Sequence, residues 1–166
     1  MGIDAERQMT CPSMCAIDPG REKFGVAVGT ASELAYAAIV PRGEIESALE
    51  CVASGDYSPL SAWTTEGVAA DGLETGIIYL GNGTSHGEYA KLMDEKNILY
   101  TIIEERMTTL EARELYWRLH PPSGLLRLIP LSLCVPPRPI DDLAAWAIMK
   151  RAVKTMYSSD QDKRIN

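Results

Sequence analysis

Three apolar, β-branched runs stand in a row before the first helical pattern, and no other feature limits the fold of this chain as much. Residues 14–18 and 24–29 flank a turn-like Pro19-Gly20-Arg21-Glu22-Lys23, the signature of a β-hairpin with a five-residue connection. Residues 34–40 supply a third strand that Pro41 ends, and Ile45, Ala48, Leu49 and Val52 then recur at helical spacing. Residues 77–80 read as a buried strand, followed by a glycine-rich turn and a helix through Tyr89, Leu92 and Met93, and residues 99–103 as a fifth strand. Thr108-Thr109-Leu110-Glu111 has the form of a capping box with Thr108 as N-cap, opening a helix whose face carries Ala112, Leu115, Tyr116 and Leu119. Ala145, Ile148, Met149, Ala152, Val153 and Met156 form the apolar face of a closing helix. This order predicts one α/β domain over residues 1–166, a mixed sheet with helices on both faces. Residues 54–70 show no clean period and are expected to be a loop; the proline-rich 120–139 is expected to be a long arm.

Composition narrows the function classes. With 46% hydrophobic and 23% charged residues the chain is an ordinary globular protein, and it contains no apolar run of the roughly 18 residues a membrane helix needs. The acidic start, MGIDAERQMT, is unlike a signal peptide, so a cytoplasmic protein with no membrane partner is expected. Cys11, Cys15, Cys51 and Cys134 lack zinc-site spacing and read as reduced thiols. A net charge of −7 argues against binding nucleic acid by bulk attraction, but the charge is uneven. Residues 1–100 carry 6 Lys or Arg against 15 Asp or Glu, whereas residues 101–166 carry 10 against 8. A polyanion would therefore meet the C-terminal third, where Arg113, Arg118, Arg127, Arg138, Lys150, Arg151 and Lys154 could guide a nucleic-acid backbone. Leu125, Leu126, Leu128, Ile129 and Leu131 in the arm would support a homodimer if they pack on a second copy.

Acids at the ends of elements carry the candidate chemistry. Asp18 closes the first strand, Glu104 and Glu105 close the fifth, and Asp141 and Asp142 open the last helix. Singly, each has an ordinary explanation: a turn former, a solvated strand end beside Arg106, an N-cap. Together they differ, because ligands of open α/β sheets gather outside the carboxyl ends of strands. Two carboxylates about 4 Å apart repel by roughly 4 kcal/mol at an effective dielectric near 20, so a raised pKa or divalent cations must offset the repulsion. Mg²⁺ suits such oxygen donors, and two ions can activate water and stabilise the leaving oxygen of a phosphodiester.

The segment MCAIDPGREKFGVAV resembles the opening hairpin of the RNase H-like superfamily as found in the RuvC resolvases and the YqgF (RuvX) family. IIEERMTTLEARELYW resembles the Asp-Glu-Arg-x-Thr-Thr-x-Glu-Ala motif of the YqgF family, and PIDDLAAWAIM its closing helix. The resemblance implies an RNase H-like fold with a five-stranded mixed sheet in the order 3-2-1-4-5. It further implies a Mg²⁺- or Mn²⁺-dependent endonuclease on structured nucleic acid, acting in pre-ribosomal RNA processing or on Holliday junctions. Asp18, Glu105 and Asp141 are then the catalytic and metal-binding residues, and Arg21, Lys23, Arg106, Thr108 and Thr109 the substrate-binding ones. Here the family's Asp-Glu-Arg is Glu104-Glu105-Arg106, and since successive strand residues face opposite ways only one glutamate can enter the site. The chain has Leu80-Gly81-Asn82-Gly83 where the family has Gly-Leu-Pro, which marks a divergent branch.

Two rival classes follow. One is an RNase H-like RNA- or ribosome-binding module that is weakly active or inactive; the other is an actin-like ATPase relative, for which 166 residues are too few to build two lobes. GNGTSHG lies where backbone amides can hold a phosphate, but it lacks the Walker A lysine and the dinucleotide-binding spacing.

Overall fold

The computed structural model describes residues 13–104 and 108–162. Strands β1 (Met14–Asp18), β2 (Lys23–Gly29) and β3 (Leu34–Pro41) form the antiparallel start that the three apolar runs predict. Helix α1 (Ile45–Ser54) follows and ends at Gly55, whose φ of 79° supplies the left-handed cap. A short strand β4 (Thr64–Gly67) precedes β5 (Ile77–Gly81), α2 (His86–Glu95) and β6 (Thr101–Ile103). Helices α3 (Thr108–Leu119) and α4 (Asp141–Asp162) complete the described chain.

The sheet order is β4-β3-β2-β1-β5-β6. The expected five-strand order therefore holds, with β5 and β6 as the fourth and fifth strands, and β4 is an addition at the edge. Residues 54–70 are accordingly not all loop: Ser58–Trp63 forms a 3-10 helix, and Thr64–Gly67 pairs antiparallel with β3 across a bulge. The last predicted strand begins at Thr101 rather than at 99; Leu99 is 89% exposed. Thr108 is the first helical residue of α3, and the Glu111 carboxylate accepts from Arg151 of α4 at 2.7 Å. In the arm, the structure has two 3-10 turns, Gly124–Leu128 and Leu131–Leu133, with Leu125 and Leu128 largely exposed. No described helix is long and apolar enough to cross a membrane.

Strand alternation splits the core in two. Cys15 and Ile17 of β1 face α1 and α2 with Phe24, Val26 and Val28, while Met14 and Ala16 face α3 and α4 with Ala27 and Tyr79. Where α4 crosses the middle of β1 and β2 the sheet carries small residues, and Leu143 to Met149 of the helix are all buried. Large side chains on that side of β1 and β2 would hold the helix off; Ala16, Ala27 and Gly25 let it lie close. Asp18 shares the parity of Met14 and Ala16, so it too turns toward α4.

Candidate active site

Parallel pairing lines up the carboxyl ends of β1, β5 and β6. Ile17 pairs with Leu80, one step short of Asp18 and Gly81, and Gly81 pairs with Ile103, one step short of Glu104. Asp18 pairs with Gly25 on its other side, so glycines flank it on both neighbouring strands. Asp18 itself is half-buried.

Gly25 also determines where α4 begins. A Cβ at position 25 would stand 1.9 Å from the carbonyl oxygen of Asp141, 2.2 Å from its carbonyl carbon and 2.7 Å from the amide nitrogen of Asp142. The backbone of Asp141 thus rests directly on the residue paired with Asp18, at the same end and on the same face of the sheet. Lys23, the first residue of β2, reaches Asp141 Oδ2 with Nζ at 3.1 Å. Asp141 and Lys23 keep 30% and 41% of their side-chain surface exposed, so the pair is open to exchange with a ligand or a cation. Tyr89 of α2 donates to the carbonyl of Gly20 at 2.8 Å and ties down the β1–β2 turn from the opposite face. Burial pushes its phenol up to about 12; the Arg42 charge works against this and the Asp18 charge adds to it.

Arg21 is exposed on the β1–β2 turn, at a surface cleft shared with Arg42, Thr84 and Ser85. Arg42 itself is ion-paired with Glu88. Thr108 is buried and Thr109 exposed in the first turn of α3. Glu105 and Arg106 lie outside the described residues. Glu104 is exposed, and its carbonyl accepts from Arg151. Among the described residues no three His, Cys, Asp or Glu side chains are grouped so as to hold a metal ion. β1 and β6 are two strand spacings apart, about 10 Å.

The structure adds a polar network that the sequence reading missed. Asp142 has no exposed side-chain surface, yet it accepts from Thr65 Oγ1 at 2.6 Å and from both terminal nitrogens of Arg138 at 3.0 Å. Arg138 also donates to Glu66 at 2.7 Å, and Glu66 lies 2.6 Å from Nε2 of His120. Burial alone would pull the Arg138 guanidinium down, but the facing carboxylates of Asp142 and Glu66 more than reverse this and hold it above its ordinary value. Arg138 is therefore a structural cation tying α4 to the edge strand β4, and not one of the residues available to a nucleic-acid backbone. One signal for the pair was legible: adjacent aspartates at a helix start cannot face the same way, so one of them must find an internal partner. Gly25 was legible too, since a glycine inside a β-branched strand marks a close backbone approach.

No family model matches the chain, and no curated protein matches it. Among solved structures, it is similar to a Thermus thermophilus RuvC structure at 15% sequence identity and a TM-score of 0.41, with 88% of this chain and 96% of that chain covered.

Proposed function

We propose that the chain is a divalent-metal-dependent endonuclease that hydrolyses phosphodiester bonds in structured nucleic acid, with Asp18 and Asp141 as metal ligands and Glu105 as the third acid. The observation that supports this reading is the seating of the Asp141 backbone on Gly25, the strand partner of Asp18, at the carboxyl end of β1. The sequence motifs around all three acids support it.

The donor set fits Mg²⁺ or Mn²⁺. Both are hard cations that take carboxylate oxygens, and Mg²⁺ is commonly held by one or two carboxylates together with substrate phosphates, keeping several waters. When bound, the ion supplies polarisation of a phosphodiester oxygen and a water acidic enough to be activated near neutral pH. The chain's own residues do the positioning. Asp18 is fixed on a strand and Asp141 on the first turn of a helix clamped by Asp142, so neither donor depends on a loop. Lys23 Nζ is placed to leave Asp141 for a phosphate oxygen, while Arg21 on the turn and Thr109 on α3 meet the backbone beyond it.

The test is cleavage of structured RNA and of a branched DNA with Mn²⁺. Asp18→Asn is expected to lower the rate by roughly a hundredfold or more, since losing a ligand costs at least the roughly 10–100-fold that follows from losing a residue that only orients one. Equal rates for parent and variant would mean that the cleavage belongs to a contaminant, and the reading fails.

One observation favours a second reading, a nucleic-acid-binding module without turnover: a built-in cation, Lys23, already neutralises Asp141. Removing it separates the two. If Asp141 is a metal ligand, Lys23→Met relieves competition and Mn²⁺ binding, followed by calorimetry, tightens severalfold. Unchanged Mn²⁺ affinity with retained RNA binding supports the module.

A further inference from the structure

A surplus of positive charge gathers where α3 and α4 run past each other, away from Asp18 and Asp141. Arg118 of α3 and Lys150, Arg151 and Lys154 of α4 line a hollow of about 330 Å³ whose acidic members are Glu111 and Glu114. Glu111 is already engaged by Arg151. Among the described residues, Arg118, Lys150 and Lys154 have no carboxylate partner. Lys150 lies about 14 Å along the helix axis from Asp141, at 1.5 Å per residue.

Lys150 is held in place. Its Nζ donates to the carbonyl of Ala31 at 2.6 Å and sits 5.1 Å from the ring centre of Trp146. Burial, and then the charge of Arg118, pull its ammonium below the ordinary lysine range. Lys150 is thus held near the like charge of Arg118, and an anion seated between them would remove the cost of that repulsion.

The same two cations also border a larger hollow of about 770 Å³. Its walls are mainly apolar and aromatic, with Ile77 and Tyr79 on the sheet and Val153, Met156 and Tyr157 on α4. Met14 and Ile77 open their strands, so this hollow lies at the end of the sheet opposite Asp18. Its volume falls in the range of small-molecule sites. A charged compartment and an apolar one sharing a cationic rim match a ligand with an anionic head and a ring-bearing body.

We propose that the α3–α4 cleft is a second binding site that takes a nucleotide unit, with its phosphate between Arg118 and Lys150 and its base in the hollow beside Tyr157. Glu33, Glu111 and Glu114 at the margins limit the negative charge the cleft accepts, so it favours a monophosphate over a triphosphate. The site stands apart from Asp18 and Asp141 and does not rest on the nuclease reading. A free nucleoside monophosphate and the phosphorylated end of a strand present the same chemistry.

Calorimetric titration of the full chain tests the assignment with four probes: adenosine monophosphate, adenosine, inorganic phosphate and a 5′-phosphorylated tetranucleotide. Adenosine monophosphate is expected to bind saturably, and adenosine and phosphate at least tenfold more weakly. Arg118→Glu, at an exposed position, and Lys150→Met should each weaken the nucleotide at least tenfold, with circular dichroism confirming their fold. Lys91→Glu, an equal loss of positive charge for the first variant on exposed α2, should leave binding unchanged. Tighter binding of the tetranucleotide supports the site with a strand end as its source; equal or weaker binding supports it with the free nucleotide. The assignment is overturned if no probe binds, if adenosine or phosphate equals the monophosphate, or if Arg118→Glu and Lys91→Glu weaken it alike.

Discussion

Alanine at position 25 is expected to unseat the first turn of α4 and cost the protein about 3 kcal/mol or more, at or beyond the usual range for overpacking a close contact. The reason is geometric. The new Cβ would stand 1.9 Å from a backbone oxygen and 2.2 Å from a backbone carbon, and neither is the end of a flexible side chain that can swing aside. Either β2 bends away from β1 and β3, breaking pairing on both sides, or α4 lifts and pulls Asp141 away from Asp18. At about 2–4 °C per kcal/mol for a chain of this size, the Tm should fall by roughly 6–12 °C or more. Calorimetry or urea unfolding measures it. A Gly25→Ala protein within 1 kcal/mol of the parent would mean that α4 does not rest on the sheet at this point, and the seating of Asp141 on the strand partner of Asp18 would go with it.

Truncating Asp142 to alanine should be nearly as damaging, at about 3–5 kcal/mol, because it leaves the Arg138 guanidinium partly buried with half of its carboxylate partners removed. The Asp142 side chain has no exposed surface and takes three hydrogen bonds, from Thr65 and from two nitrogens of Arg138. The loss would be felt beyond α4, since Arg138 also holds Glu66 on β4. A variant replacing Asp142 by Leu, Arg138 by Met and Glu66 by Gln together should recover most of the loss, as apolar groups of similar volume often substitute for a buried ion pair without penalty. Urea midpoints of the single and triple variants decide it: a single variant within 1 kcal/mol of the parent would show the network to be ornamental.

Much of this fold could be read from the chain because its determinants are local. The β-branched runs of β1, β2 and β3 and the helical spacing of Ile45, Ala48, Leu49 and Val52 each specify their element without reference to the rest. The edge strand β4 is different. Thr64-Thr65-Glu66-Gly67 is four residues with no apolar alternation, and it is a strand because β3 offers an unpaired edge and Arg138, some seventy residues later, binds Glu66. No window of sequence contains both halves of that interaction. The same non-locality made Arg138 resemble a surface cation. Among the acids at the ends of elements, Asp141 has its backbone against Gly25, the strand partner of Asp18. That Asp142 is the internal partner followed only from the helix's orientation on the sheet.

The placement of α4 also orders events during synthesis. It is the helix that touches β1, β2, β3, β5 and β6 as well as α3, and it comes after all of them in the chain. A nascent chain that has released every strand therefore still presents Ala16, Ala27 and Tyr79 to water on one bare side, and can bury only the α1–α2 side. The half-covered sheet must wait for residues beyond 141 to leave the ribosome, a delay of seconds at ordinary elongation rates. Over that interval the uncovered side is a natural substrate for chaperones that hold exposed apolar surface.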